Sequence, residues 1–180
     1  GIPATIGGAI RMNAGGAYGA IGEVVESVAC LTRTGEKVTY LGTPALRAGT
    51  PDSENRGTGI KFGYRETNIP DPIILSATFR LTAVDPFTLR DRVKEIFAYK
   101  KSTQPLADHS AGCTFKNPID PETEQRVPAG KLIDETGLKG LSVGGATVSP
   151  RHANFIVTVP GATADHVLKL LDMVKKRVYE

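Results

Sequence analysis

Tryptophan is absent from this chain, only two of its 180 residues are cysteine, and aromatics make up 6%. So few rings argue against a nucleic-acid surface, which combines a dense basic stripe with interleaved aromatics. The 22 basic and 19 acidic residues leave a net charge of +3 and are scattered rather than gathered into a run. That balance favours, weakly, a small anionic ligand. No apolar run approaches the roughly 20 residues a membrane helix needs. The opening "GIPATIGGAI" has neither the charged head nor the continuous apolar stretch of a secretory signal. Cys30 and Cys113 are far apart and fit no metal-ligand spacing, so reduced thiols and no metal are expected. The expectation is a cytoplasmic monomer that binds neither nucleic acid nor membrane. With 40% hydrophobic residues the chain can build a real core.

Along the chain, "GIPATIGGAIRMNAGGAYGAIGE" is dense in glycine and reads as loop with one short helical turn. "VVESVACLTRTGEKVTYLG" has two β-rich runs flanking "RTGE", the pattern of a hairpin, with Cys30 as a small buried residue in its first strand. Residues 43–72 read as a structured surface loop, and "IILSATFRLTAV" as a strand. Asp85-Pro86 is a plausible boundary, after which Thr88 is expected to cap a helix with Leu89, Val93, Ile96 and Phe97 on one face. "AGKLIDETGLKG" reads as a short helix closed by Gly137 with Leu132 and Ile133 inward. "ANFIVTV" reads as a strand, and a helix from Thr163 carries a stripe of Val167, Leu170, Leu171, Val174 and Val178. No internal repeat is visible. The fold class is α+β.

Three constellations are candidates for chemistry. Gly1, Gly7, Gly8, Gly15, Gly16 and Gly19 leave backbone N–H groups open to a phosphate or a ring, but no Gly-Lys-Ser/Thr follows and no strand precedes them. A plain turn-rich connection explains such a stretch equally well. "FGYRET" sets Arg65 after an aromatic and a glycine; a solvated surface charge is the ordinary reading, and a carboxylate partner the functional one. "SAGCTFKNP" places Cys113 in a glycine-flanked polar loop, where a buried turn cysteine competes with a thiol that donates a proton or attacks an electrophile. His109 and His152 keep a Cys-His pair open, and Lys116 and Asn117 add donors for phosphate or a sugar hydroxyl.

Taken together, "GIPATIGGAIRMNAGGAYG", "FGYRET", "QPLADHSAGCTFKNP", "AGKLIDETGLKG" and "GGATVSPRHANFIV" resemble, in order and register, the UDP-N-acetylenolpyruvoylglucosamine reductase (MurB) family. The resemblance runs from the first residue to the last. It implies part of a VAO-type FAD-binding domain over 1–85 and a small α/β substrate-binding domain over 86–180. The implied activity is NADPH-dependent, FAD-mediated reduction of UDP-N-acetylglucosamine enolpyruvate to UDP-N-acetylmuramate, with hydride to C3 and a proton to C2. By the same resemblance Gly1, Ile2, Pro3, Thr5, Gly7, Gly8, Asn13, Gly15, Tyr18 and Gly19 match cofactor-binding positions. Arg65 matches the arginine that stabilises charge on the substrate carboxylate. Tyr64, Lys116, Asn117, His152 and Asn154 match positions at the UDP-sugar site.

The proton-donor position, usually serine in the family, is Cys113 here. A thiol is the stronger acid by several pK units, so the exchange looks functional. "GIPA" replaces the family's "GIPG", so Ala4 adds a methyl where the loop lies near the flavin. Family members also begin earlier and continue to a further glutamate, so the 180 residues alone are expected to bind FAD poorly and to be inactive. A related flavin oxidase and a non-catalytic UDP-sugar module are the competing readings. The cysteine loop and the last α/β unit favour the reductase.

Overall fold

The computed structural model describes residues 4–42 and 59–180. The chain divides into two units, Gly1–Pro86 and Phe87–Glu180. Gly1, Ile2, Pro3 and residues 43–58 of the expected surface loop lie outside the described residues.

In the first unit a short helix α1 (Ile6–Arg11) starts at Thr5, whose hydroxyl accepts from the Gly8 N–H at 3.2 Å. Two small hairpins follow the glycine-rich sequence: β1 (Gly15–Gly16) with β2 (Gly19–Ala20), and β5 (Phe62–Gly63) with β6 (Glu66–Thr67). The second lies inside the stretch read as loop. Its strands are two residues each, too short for an alternating pattern to register. β3 (Val25–Leu31) and β4 (Lys37–Leu41), which lie between these hairpins in the chain, and β7 (Ile73–Phe79), which follows the second, form an antiparallel sheet in the order β4-β3-β7. The expected hairpin turns at Gly35, whose φ of +84° suits glycine.

Strand β3 is the centre of the unit's core. Val28 and Cys30 alternate inward, but Val25 is also fully buried although it lies an odd step, three positions, before Val28. A register shift against β7 between Val25 and Ser27 inserts the extra residue that brings both valines to one face. Ile10, Val38, Ile60 and Ile69 complete the cluster. Gly42 closes it tightly, because a Cβ there would lie 1.9 Å from the Val25 carbonyl oxygen.

Helix α2 (Pro86–Thr103) starts at the last residue of the first unit, and the second unit goes on with α3 (Ala129–Glu135), β8 (Ser142–Val143), β9 (Ala146–Val148), β10 (Ile156–Thr158) and α4 (Ala164–Tyr179). The sheet runs β10-β9-β8, all antiparallel. Helix α2 begins two residues before the expected cap. Pro86 suits the first helical position because it has no N–H to leave unpaired, and Thr88 falls inside the first turn. Its apolar face is open: no α2 residue is buried, and Leu89, Val93 and Phe97 are at least half exposed. Helix α4 behaves differently. Thr163 caps it by accepting from the His166 N–H, and Leu170 and Val174 are buried against Ile133, Ala146, Val148 and Ile156. No described helix is long and apolar enough to cross a membrane.

Candidate active site

Two residue groups stand out, one in each unit. In the first, the glycine segment and the "FGYRET" hairpin are tied together over a separation of 50 residues. Asn13 spans the join: its Nδ2 donates to the Gly63 carbonyl at 2.8 Å and its Oδ1 accepts from the Gly22 N–H at 3.1 Å. Arg65 occupies the second position of the β5–β6 turn with φ of +60°, a left-handed conformation that costs a side-chain-bearing residue about 1–3 kcal/mol. Its guanidinium lies 5.1 Å from the centre of the Tyr64 ring and donates to the Gly15 carbonyl at 2.6 Å. An arginine held in a strained turn by a cation–π contact and a backbone carbonyl is a fixed charge rather than a mobile surface side chain.

In the glycine segment Thr5, Gly8, Gly16, Tyr18 and Gly19 are exposed, with Gly7 partly so. The glycines differ in what they allow. A Cβ on Gly15 would come within 2.6 Å of Ala20 Cα, so that glycine serves the β1–β2 pairing, whereas a Cβ on Gly16 would meet nothing within 4 Å. Bare backbone beside open space is what close approach of a flat ring or a phosphate requires.

In the second unit, Gly112 turns the chain at φ of +91° into Cys113, which pairs with Phe155 as an isolated antiparallel bridge at the entry to β10. Cys113 is exposed and is a thiol, as is the buried Cys30. It lines a cleft of about 600 Å³ together with Asn117, Gly130, Lys131, Asp134, Lys139, Arg151, His152 and Asn154. A second cleft of about 490 Å³, with His109, Ser110 and Thr158, opens on its other side. The loop is pinned at both ends: Thr114 N–H donates to the Asn154 carbonyl at 2.8 Å, and Asn117 Oδ1 accepts from the Ala129 N–H at 3.0 Å, where α3 begins.

Three cations and two carboxylates line the larger cleft. Lys139 reaches Asp134 at 2.6 Å, Lys131 reaches Glu135 at 3.7 Å, and Arg151 donates to the Lys101 carbonyl at 3.1 Å. His152 packs edge-on against Phe155, with ring centres 4.8 Å apart. Burial lowers its pKa below the ordinary histidine range; nearby Lys139 lowers it further, and its own backbone and Asp134 partly oppose this. Asp120, at the far end of the loop, is partly exposed and has its pKa lowered by the N–H groups of Glu122 and Thr123. Among the described residues no group of His, Cys, Asp or Glu is arranged to hold a metal ion.

Of the residues singled out in the sequence, Cys113, Asn117, His152 and Asn154 therefore share one cleft, and Asn13, Gly15, Tyr64 and Arg65 share one hairpin pair. Lys116 faces away, into a groove of about 250 Å³ beside Leu132 and Val174.

Residues 104–180 match the model of the UDP-N-acetylenolpyruvoylglucosamine reductase C-terminal domain. Across 99% of its length the chain is 41% identical to a UDP-N-acetylenolpyruvoylglucosamine reductase of Pediococcus pentosaceus, covering 53% of that protein. It is 36% identical to one of Syntrophobacter fumaroxidans, covering 46% of it. The crystal structure of the reductase from Thermus caldophilus superposes with a TM-score of 0.77 at 34% identity, over 98% of this chain and 57% of that one. Along its whole length the chain is similar to MurB reductases. It spans about half the length of the curated relatives it matches.

Against this MurB background, sequence reasoning missed Lys131, Lys139 and Arg151 in the cleft. The signal for Lys131 was within reach, because Lys131, Asp134 and Glu135 form the polar face of α3, opposite the buried Ile133. Lys139 and Arg151 sit in turns where no periodicity marks a side.

Proposed function

We propose that this chain forms part of an NADPH-dependent, FAD-containing reductase of UDP-N-acetylglucosamine enolpyruvate, working in the cytoplasm in peptidoglycan precursor synthesis. The observation that carries this reading is the convergence of Cys113, Asn117 and His152 on one cation-bearing cleft, within the segment matching the reductase C-terminal domain. The domains expected over 1–85 and 86–180 then supply cofactor-binding and substrate-binding parts. The exposed backbone at Gly8, Gly16 and Gly19 and the open space over Gly16 fit a flavin, with Thr5, Asn13 and Tyr18 beside it in sequence. When bound, FAD supplies two-electron transfer between NADPH and the substrate.

The chain's own residues handle charge and protons. Addition of hydride to the enolpyruvyl C3 places negative charge on C2 and its carboxylate. Arg65, fixed by Tyr64 and the Gly15 carbonyl, is the group assigned to that charge. The Cys113 Sγ–H gives its proton to C2, forming the new C–H bond, and the thiolate takes a proton back from water. The double bond is reduced and NADPH is oxidised to NADP⁺, so electrons balance. Asn117 and His152 line the sugar nucleotide's side of the cleft, whereas Lys116 lines the separate groove beside Leu132 and is assigned no contact there.

The test is NADPH oxidation by a family-length enzyme carrying these 180 residues, with and without the enolpyruvyl UDP-sugar, after its flavin content is recorded. Oxidation that depends on the sugar is expected. Flavin-loaded protein indifferent to the sugar would sink the reading.

A further inference from the structure

Asn154 is one of only two buried polar residues among those described, at 3% exposure, in a wall that is otherwise apolar or open to the cleft. A primary amide there needs partners. It finds both on one residue. Its Oδ1 accepts from the Phe115 N–H at 2.8 Å and its Nδ2 donates to the Phe115 carbonyl at 2.9 Å. Its own carbonyl accepts from the Thr114 N–H at 2.8 Å, and the neighbouring Phe155 bridges Cys113. The side-chain amide thus acts as a surrogate peptide group, extending the ladder that starts at Cys113 past the point where the main chain turns away. Asn154 also donates its N–H to His152 Nδ1 at 3.2 Å, so the proton of the neutral ring lies on Nε2.

We infer that Asn154 is a positioning residue: it fixes the backbone of Cys113–Phe115, and with it the direction of the Cys113 thiol, and it sets the tautomer of His152 in the same cleft. This rests on the reductase reading for its catalytic consequence, but not for its structural content. The geometry requires one donor and one acceptor at a set reach. An aspartate keeps an acceptor for the Phe115 N–H but faces the Phe115 carbonyl with a second oxygen and no proton. Protonated aspartic acid restores the donor.

The test is therefore Asn154→Asp, followed by two-dimensional NMR of the 180-residue chain against pH, with the wild-type chain in parallel to remove the titration of His152. At neutral pH the Cys113 and Phe115 amide resonances of N154D are displaced from wild type. They return together toward wild-type positions as the introduced carboxyl protonates, at a pH above the ordinary aspartate value because the site is buried. Displacements that do not reverse, or resonances at Cys113 and Phe115 identical to wild type at neutral pH, overturn the proposal. Asn154→Leu gives a second check: the Phe115 amide exchanges with solvent at least ~10-fold faster, its partner being gone.

In the family-length enzyme, N154D lowers kcat for sugar-dependent NADPH oxidation by roughly 10- to 100-fold, as a misaimed proton donor would. The KM for the UDP-sugar stays within about threefold. A raised KM with kcat unchanged makes Asn154 a ligand-binding group and overturns the proposal. If the wild-type enzyme shows no sugar-dependent oxidation, the reductase reading fails by itself, and the NMR titration still decides the role of Asn154.

Discussion

Cys30 and Cys113 are the same residue in opposite surroundings. Cys30 lies on the central strand β3, fully buried between Val38 on β4 and Ile74 on β7. Burial, reinforced by the nearby Asp71, raises its pKa despite the opposing Arg11. Cys113 lies on an exposed loop between two clefts, held in place by hydrogen bonds to the residues after it rather than by packing of its own side chain. Residue type does not make a cysteine reactive; what matters is whether the backbone is held while the sulfur is left uncovered. The first unit achieves order with apolar contacts, and the Cys113 loop achieves it with the amides of Asn154 and Asn117.

The strongest way to break this comparison is alkylation. Iodoacetamide added to the folded chain at neutral pH is expected to modify Cys113 and spare Cys30 by a factor on the order of 10³, because Cys30 reacts only through opening of the core. Peptide mapping reads the ratio, and comparable labelling of both would refute the contrast. Serine substitutions sharpen it next. Cys30→Ser should cost about 1–3 kcal/mol in urea unfolding by burying a hydroxyl where a thiol packed, whereas Cys113→Ser should stay within about 0.5 kcal/mol. Equal costs would mean that the loop is packed rather than hydrogen-bonded.

The smallest effect is that of pH. His152 has a depressed pKa in the folded chain, so below its unfolded value, near 6.5, the unfolded state binds more protons and stability rises with pH. Its contribution is complete above that pH and is lost as pH falls through the lower folded value. His152→Gln should flatten this part of the stability profile, measured by urea unfolding between neutral and mildly acidic pH. An unchanged slope would remove His152 as its source.

Much of the scaffold was legible because it is local. The turn at Gly35, the helix start at Thr163 and the stripe through Leu170 and Val174 each need only a few neighbouring residues to be seen. The α2 stripe of Leu89, Val93 and Phe97 was equally legible as a helix face, yet it is exposed, since periodicity shows where a face lies and not whether anything covers it. The site was legible as a set of residues and not as a mechanism of support. Asn154 reaches Phe115 across 39 positions and Arg65 reaches Gly15 across 50, distances at which a single sequence carries no pairing signal. The positive φ of Arg65 was hidden too, because nothing in "FGYRET" marks an arginine as the turn's left-handed residue.

The most direct test of the central claim compares Cys113→Ser and Cys113→Ala in a family-length enzyme, by sugar-dependent NADPH oxidation. If Cys113 gives the proton to C2, the serine variant keeps substantial turnover and the alanine variant loses most of it, about 10²-fold or more. Turnover by the alanine variant equal to wild type would remove Cys113 from the chemistry.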